Sequence, residues 1–170
     1  MNWSLRLARP EDAEAMSAIE EDAARLFAEE PSLAGGAMPP ATSAEDYRTL
    51  IAKRHCLVAL VADEPVGFAA CRPHGRELHL HELSVRRSCQ QQGIGGGLLR
   101  ALIIDAVNSG FAAITLQTFR DIAWNAPFYE RHGFVEVVDL KAHRRLAAGM
   151  ADAERAGLPI AKRLAMIRFL

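Results

Sequence analysis

The segment Val85 to Leu99, VRRSCQQQGIGGGLL, constrains this chain more than any other. An alternating apolar stretch precedes it and a stretch with helical spacing follows, so it joins a strand to a helix. Its consecutive glycines let backbone N–H groups turn toward one point. A helix N-terminus directly behind adds partial positive charge. Together these features make an anion cradle suited to a phosphate.

Three kinds of phosphate loop compete for that description. A Walker-type loop ends in Gly-Lys-Ser or Gly-Lys-Thr, which this segment lacks. A dinucleotide fingerprint needs G-x-G-x-x-G, and Gly93-x-Gly95-x-x-Leu98 has no third glycine. The pyrophosphate loop of coenzyme A-dependent N-acetyltransferases reads Q/R-x-x-G-x-G/A, and Gln90-x-x-Gly93-x-Gly95 fits it. On the loop alone, a glycine-rich turn without a ligand stays open.

The flanking chain reads as a mixed α/β domain. Residues 5–8 alternate like a strand, and Pro10 with Glu11, Asp12 and Glu14 opens a helix that Pro31 must stop. Residues 31–42, rich in Pro and Gly, form a loop. Ser43 caps a second helix to about Arg54. A hairpin follows: Cys56 to Ala62, a turn at Asp63-Glu64, and Pro65 to Ala70. Then come a strand from Arg76 to Val85, a helix from Gly97 to Ser109 closed by Gly110, and a strand from Ala112 to Thr118. A short helix from Ala126 to His132 ends at Gly133, ahead of a strand from Phe134 to Val138. A helix over Lys141 to Arg155 and a strand over Arg163 to Phe169 complete the order. Strands and helices do not alternate strictly, so a mixed sheet with helices on both faces fits better than a doubly wound one.

Composition narrows the function classes. The chain has 170 residues, 50 % hydrophobic and 24 % charged, enough for one core without disulfides or a structural metal. Cys56, Cys71 and Cys89 are odd in number and contain no CxxC pair, which predicts no metal site and a reducing compartment. With net charge −1 and only a short basic stretch at Lys141 to Arg145, nucleic acid is not expected as a partner. No apolar run approaches the ~20 residues of a membrane span, and the first residues carry no apolar signal core, so the expectation is a cytoplasmic protein without a membrane partner.

Two segments carry a resemblance. LHLHELSVRRSCQQQGIGGGLL resembles the central motif of the GNAT superfamily of N-acetyltransferases, and WNAPFYERHGF resembles its second motif. Order and spacing also fit, and the element order is similar over nearly the whole chain. The resemblance implies a single N-acetyltransferase domain over residues 1–170. It implies a mostly antiparallel central sheet of about seven strands, splayed at the coenzyme cleft, with acetyl-CoA as donor. The His-Leu-His triplet is similar to that of arylalkylamine N-acetyltransferases, although the rest of the chain looks more like bacterial members of unassigned substrate.

The chemistry asks first for a base, since a lysine-like ammonium has pKa about 10.4 and only the free amine attacks a thioester. His79 and His81, two apart on a strand, share a face and have the right pKa range. Glu77 shares that face as a reserve. Strict alternation turns Glu82 the other way, as a structural residue. The other roles come from the resemblance. Tyr129 is implied as the acid for the departing thiolate, and Leu83 and Val85 as main-chain partners of the pantetheine arm. Gln90, Gln91, Gln92, Gly93, Ile94, Gly95 and Gly96 are implied as the pyrophosphate loop, and Asn125 as a contact to the coenzyme arm. Transfer is then direct, without an acyl-enzyme. Residues 31–42, Phe119 to Trp124 and the last helix are expected to select the acceptor, with Glu29-Glu30 available to attract a cation and Trp124 to stack. The expected acceptor is a small-molecule amine. A protein amine, a longer acyl donor and a coenzyme A sensor without turnover stay open, and a homodimer is simply the commonest symmetric assembly.

Overall fold

A computed structural model describes residues 1–33, 36 and 38–170. Seven strands and five α-helices follow the expected order. They are β1 (Ser4–Leu7), α1 (Ala13–Ala28), α2 (Ala44–Ile51), β2 (Leu57–Val61), β3 (Glu64–His74), β4 (Glu77–Val85), α3 (Ile94–Asn108), β5 (Ala113–Phe119), α4 (Ala126–Glu130), β6 (Val135–Glu136), α5 (Arg144–Arg155) and β7 (Arg163–Phe169). The strands form one sheet in the order β1-β2-β3-β4-β5-β7-β6. Only β4 and β5 run parallel.

Each helix end has a local cause. Asp12 stands before α1, accepting from the Arg9 N–H at 2.7 Å and from the Arg6 guanidinium at 2.7 and 2.9 Å. Ser43 caps α2 through the Asp46 N–H at 3.1 Å. Gly110 and Gly133, with φ of +80° and +86°, close α3 and α4 in the left-handed conformation. The β2–β3 turn sits at Ala62-Asp63, both at positive φ, one residue earlier than the expected Asp63-Glu64.

Two apolar clusters occupy the two faces of the sheet. Leu98, Leu99 and Leu102 of α3 meet Leu78, Leu80, Ile114, Leu116, Leu164 and Met166 on one face. Met16 and Ile19 of α1 and Tyr47 and Leu50 of α2 meet Val58, Phe68 and Ala70 on the other. α5 joins that second face, where Gly149 lies so close to Gln117 that an added Cβ would come within 2.3 Å of its Nε2.

Several element boundaries differ from expectation: β3 runs on to His74, past the expected Ala70, and α2 ends at Ile51 rather than near Arg54. α3 starts at Ile94 rather than Gly97, so Gly95 and Gly96 sit in its first turn. β6 is two residues long instead of five, since the chain leaves the sheet edge before Val138, which is 86 % exposed. α5 begins at Arg144, after a separate 3-10 turn at Leu140–Ala142. Among the described residues no helix is long and apolar enough to cross a membrane. Residues 34, 35 and 37 of the expected acceptor loop lie outside the described residues.

Candidate active site at the parting of two strands

β4 and β5 pair only at Glu77–Ala113, Leu78–Ile114 and His79–Thr115. Beyond those three pairs the strands diverge, although β4 continues to Val85 and β5 to Phe119. The divergence follows a bulge in β4. Ala70 stands opposite Glu82 and Cys71 opposite Leu80, which leaves His81 as an extra residue.

That bulge overturns the alternation expected from the sequence. Leu78 and Leu80 lie in the α3-side cluster, and Leu83 and Val85 pack on the same cluster. Glu82 therefore belongs to the opposite side, level with Ala70 and next to Ser84, whose partner Phe68 contacts α1 and α2. Rather than being a structural residue, Glu82 lines the cleft between the parted strands together with His81 and Tyr129.

The cleft holds about 460 Å³. A second groove of about 570 Å³ runs from it past Gln91, Gly93, Ile94, Gly95 and Gly96 to Phe128 and Arg131. Leu26, Leu83, Val85, Gln90 and Trp124 line both, so the two form one channel.

The loop end of the channel is a set of free donors. The first bond into α3 runs from Gly97 N to Gly93 O at 2.9 Å, so the N–H groups of Ile94, Gly95 and Gly96 have no helical partner. Gly93 holds φ +79°, which turns the chain into the helix. Gln90 closes the loop from its own side by donating Nε2 to Val85 O at 2.9 Å. Gln92 does not line the groove; its carbonyl accepts from the Trp3 indole at 3.3 Å.

The expected histidine pair is divided. His79 does not line the cleft; its Nδ1 lies 2.9 Å from Thr115 Oγ1 and 3.1 Å from the Arg145 guanidinium. Burial, followed by the charge of Arg145, pushes its pKa down to about 3. A neutral imidazole with so low a pKa is a weak base. Glu77 is committed to the same cluster, 2.6 Å from Arg145 and 2.9 Å from His143. Burial opposes its ionisation, but the bonds from Arg145 and His143 outweigh that and hold its carboxyl below the usual range. The structure thus places neither His79, expected as a base, nor Glu77, expected as its reserve, on the cleft.

His81 does reach the cleft, with Nε2 3.0 Å from Thr42 Oγ1. Limited hydration lowers its pKa, and Glu20 and Asp46 offset the effect only in part. Thr42 also donates its N–H to Glu20 at 2.9 Å, and Tyr47 donates its hydroxyl to the same carboxylate. This chain of contacts ties the loop before α2 to α1 and to the bulge.

Glu82 has a pKa above the usual carboxylate range. Burial and the nearby Glu20 push it up to about 7, against the pull of a 2.6 Å bond from Ser84 Oγ and of Arg163. Tyr129 lies across the cleft, with its ring in the α3-side core. Burial, then Glu82, then Cys71 raise its pKa, so its phenol stays protonated and able to donate. Asn125 precedes α4 without capping it through its side chain. Its Oδ1 accepts instead from Thr118 Oγ1 at 2.5 Å and Phe119 N at 3.4 Å, which fixes α4 to the free edge of β5.

Other expectations fall outside the cleft. Glu29 pairs with Arg87 at 2.9 Å and Glu30 bonds Ser32 at 3.0 Å, so the acids facing the cleft are Glu20 and Glu82 instead. Trp124, 44 % exposed, forms a wall shared by both halves of the channel, 6.2 Å from Phe27. Cys71 and Cys56 are buried, and burial raises both thiols, the latter to about 11, which disfavours the thiolate.

Solved structures share this fold. PaiA N-acetyltransferase from Thermoplasma acidophilum, solved with coenzyme A, is 14 % identical with TM-score 0.68, covering 100 % of each chain. A GNAT family acetyltransferase from Brucella melitensis, solved with acetyl-CoA, is 24 % identical with TM-score 0.59 over 79 % of this chain and 83 % of that one. The ribosomal-protein-S18-alanine N-acetyltransferase of Escherichia coli is 17 % identical with TM-score 0.68, over 99 % and 94 %. Residues 14–134 match the GNAT acetyltransferase family along most of the chain, and the protein belongs to that family.

Proposed function

We propose that the protein moves an acetyl group from acetyl-CoA directly to the primary amine of a small molecule. One observation carries this reading: the unpaired edges of β4 and β5 bracket a cleft with Glu82 and Tyr129 along it, and the cleft opens into a groove ending at free helix N–H groups. The residues present fit the donor. The N–H groups of Gln91 and of Gly93 to Gly96 would hold the pyrophosphate, and the main chain of Leu83 and Val85 would take the pantetheine arm as an added strand. The Nδ2 group of Asn125 is left to contact that arm. Two of the similar structures contain coenzyme A or acetyl-CoA, which supports the same donor here.

Glu82 takes the proton from the substrate ammonium, directly or through His81, and the freed amine nitrogen bonds to the thioester carbon. As the carbon–sulfur bond breaks, Tyr129 gives its phenolic proton to the departing sulfur. Glu82 passes that first proton to solvent, then accepts the second nitrogen proton, which returns to the tyrosinate of Tyr129. The balance is an ammonium and a thioester going to an amide, a thiol and one proton. Holding both reactants in one channel supplies orientation.

A small acceptor is favoured over a protein because Met38, Pro39, Pro40, Phe27 and Leu158 surround the acceptor end of the cleft. Thiol release from acetyl-CoA, measured against a panel of primary amines, tests the reading. Turnover with at least one amine is expected. Coenzyme binding without turnover on any small amine would contradict it and leave a protein acceptor or a sensor.

A further inference from the structure

Arg163 lines the cleft and has no role in the acetyl transfer described above. It opens β7 opposite Phe119, and its guanidinium lies 4.8 Å from the centre of that ring. Its Nε is buried and has no hydrogen-bond partner among the described residues. Glu82 is the acid whose charge acts on it, yet Glu82 bonds Ser84 instead.

Arg163 is half-buried, and a guanidinium whose Nε is shut away from water stays charged, so leaving that side of it without an anion is costly. Natural cores seldom tolerate such a group unless something completes it. Arg163 does not line the donor groove, so the coenzyme's phosphates are not what completes it. Inside the acceptor cleft, Glu20 and Glu82 supply the acidic wall, Arg163 the cationic one, and Phe27, Phe119 and Leu158 an apolar surface. An acceptor that is only an amine satisfies the acids and leaves the guanidinium bare.

We infer that the acceptor is a zwitterion: an amino acid with an apolar side chain, its amine at Glu82 and its carboxylate on Arg163. The inference rests on the acetyl-transfer reading above and narrows its substrate class. A guanidinium is suited to the task because it offers paired donors to a carboxylate.

The test uses the full chain with acetyl-CoA and matched acceptors, such as L-phenylalanine against 2-phenylethylamine and L-leucine against 3-methylbutylamine. Other amino acids follow, each against its own decarboxylated amine. For at least one pair, kcat/KM for the amino acid exceeds that for the amine by about 10²-fold or more, because the bare amine leaves a buried cation unpaired. In Arg163→Met that ratio collapses to within about 3-fold, while Arg163→Lys restores part of it. A role confined to packing would lower both members of a pair alike. Should the variants fail to fold, the wild-type ratio decides. Amines acetylated as well as their amino acids overturn the inference and leave acetyl transfer standing. No acetylation of any member removes both.

Discussion

The indole of Trp3 lies flush on Gly97, so close that an added Cβ would come within 2.3 Å of the Trp3 ring. The same indole donates to Gln92 O at 3.3 Å. The first residues of the chain therefore brace both the cradle and the helix behind it. Gly97→Ala must displace the indole. The expected result is a loss of about 1–3 kcal/mol of stability and a rise of roughly tenfold in KM for acetyl-CoA, with a smaller effect on kcat. Unfolding curves and steady-state kinetics check it; unchanged KM would show that the brace does not reach the cradle.

In the proposed mechanism Tyr129 acts late, on the departing sulfur. Tyr129→Phe is expected to lower kcat by about 10²–10⁴-fold while coenzyme affinity, measured by calorimetry, stays within about threefold. The ring is part of the α3-side core and remains in the variant, so folding is preserved. Equal turnover would assign the proton to another donor.

Glu77, His79, His143 and Arg145 form one cluster away from the cleft, and its expected contribution is to stability. It ties β4 to α5 through the 2.6 Å contact of Arg145 with Glu77. Because the folded-state pKa of Glu77 is depressed, its contribution is present above the unfolded value and is lost as pH falls through the folded one. Glu77→Gln should therefore flatten the acid side of the stability curve. His79→Gln should leave the pH–rate profile where it is, and a profile that moves with that change would restore His79 to the chemistry.

Glu82 imposes the opposite trade. Its pKa near 7 lies above the value of an unfolded glutamate, so the folded state holds the proton more tightly and loses stability as pH rises between the two values. Glu82→Gln is expected to gain about 1–3 kcal/mol at about pH 8 and nothing at about pH 4, by chemical unfolding at both. A uniform gain would point to packing instead.

Much of this was legible in the residues. Element order followed from proline, glycine and acid placement, and the cradle from Gln90, Gly93 and Gly95. The start of α3 was not, because Ile94, Gly95 and Gly96 read as loop rather than as a first helical turn, and neither was the close packing of Trp3 on Gly97. A contact 94 residues apart in sequence leaves no local signal. The bulge was missed for a different reason. HLHEL continues a regular alternation, which hid the change of face. The spacing of the apolar residues did record it: Leu78 and Leu80 are two apart, but Leu80 and Leu83 are three apart, a phase break that a single flat strand cannot place on one face. Read that way, Glu82 turns to the same face as His81, toward the cleft.

In the proposed mechanism Glu82 receives the substrate's proton. This role is tested most directly by the pH dependence of kcat/KM in the wild type and in Glu82→Gln, with the acceptor found in the amine panel. The wild type is expected to lose activity as pH falls through about 7, where Glu82 becomes protonated. The variant is expected to lose that limb and to be slower by about 10²–10⁴-fold near neutrality. An acid limb that persists unchanged in Glu82→Gln would contradict the account and place the base elsewhere, with His81 next to be tested.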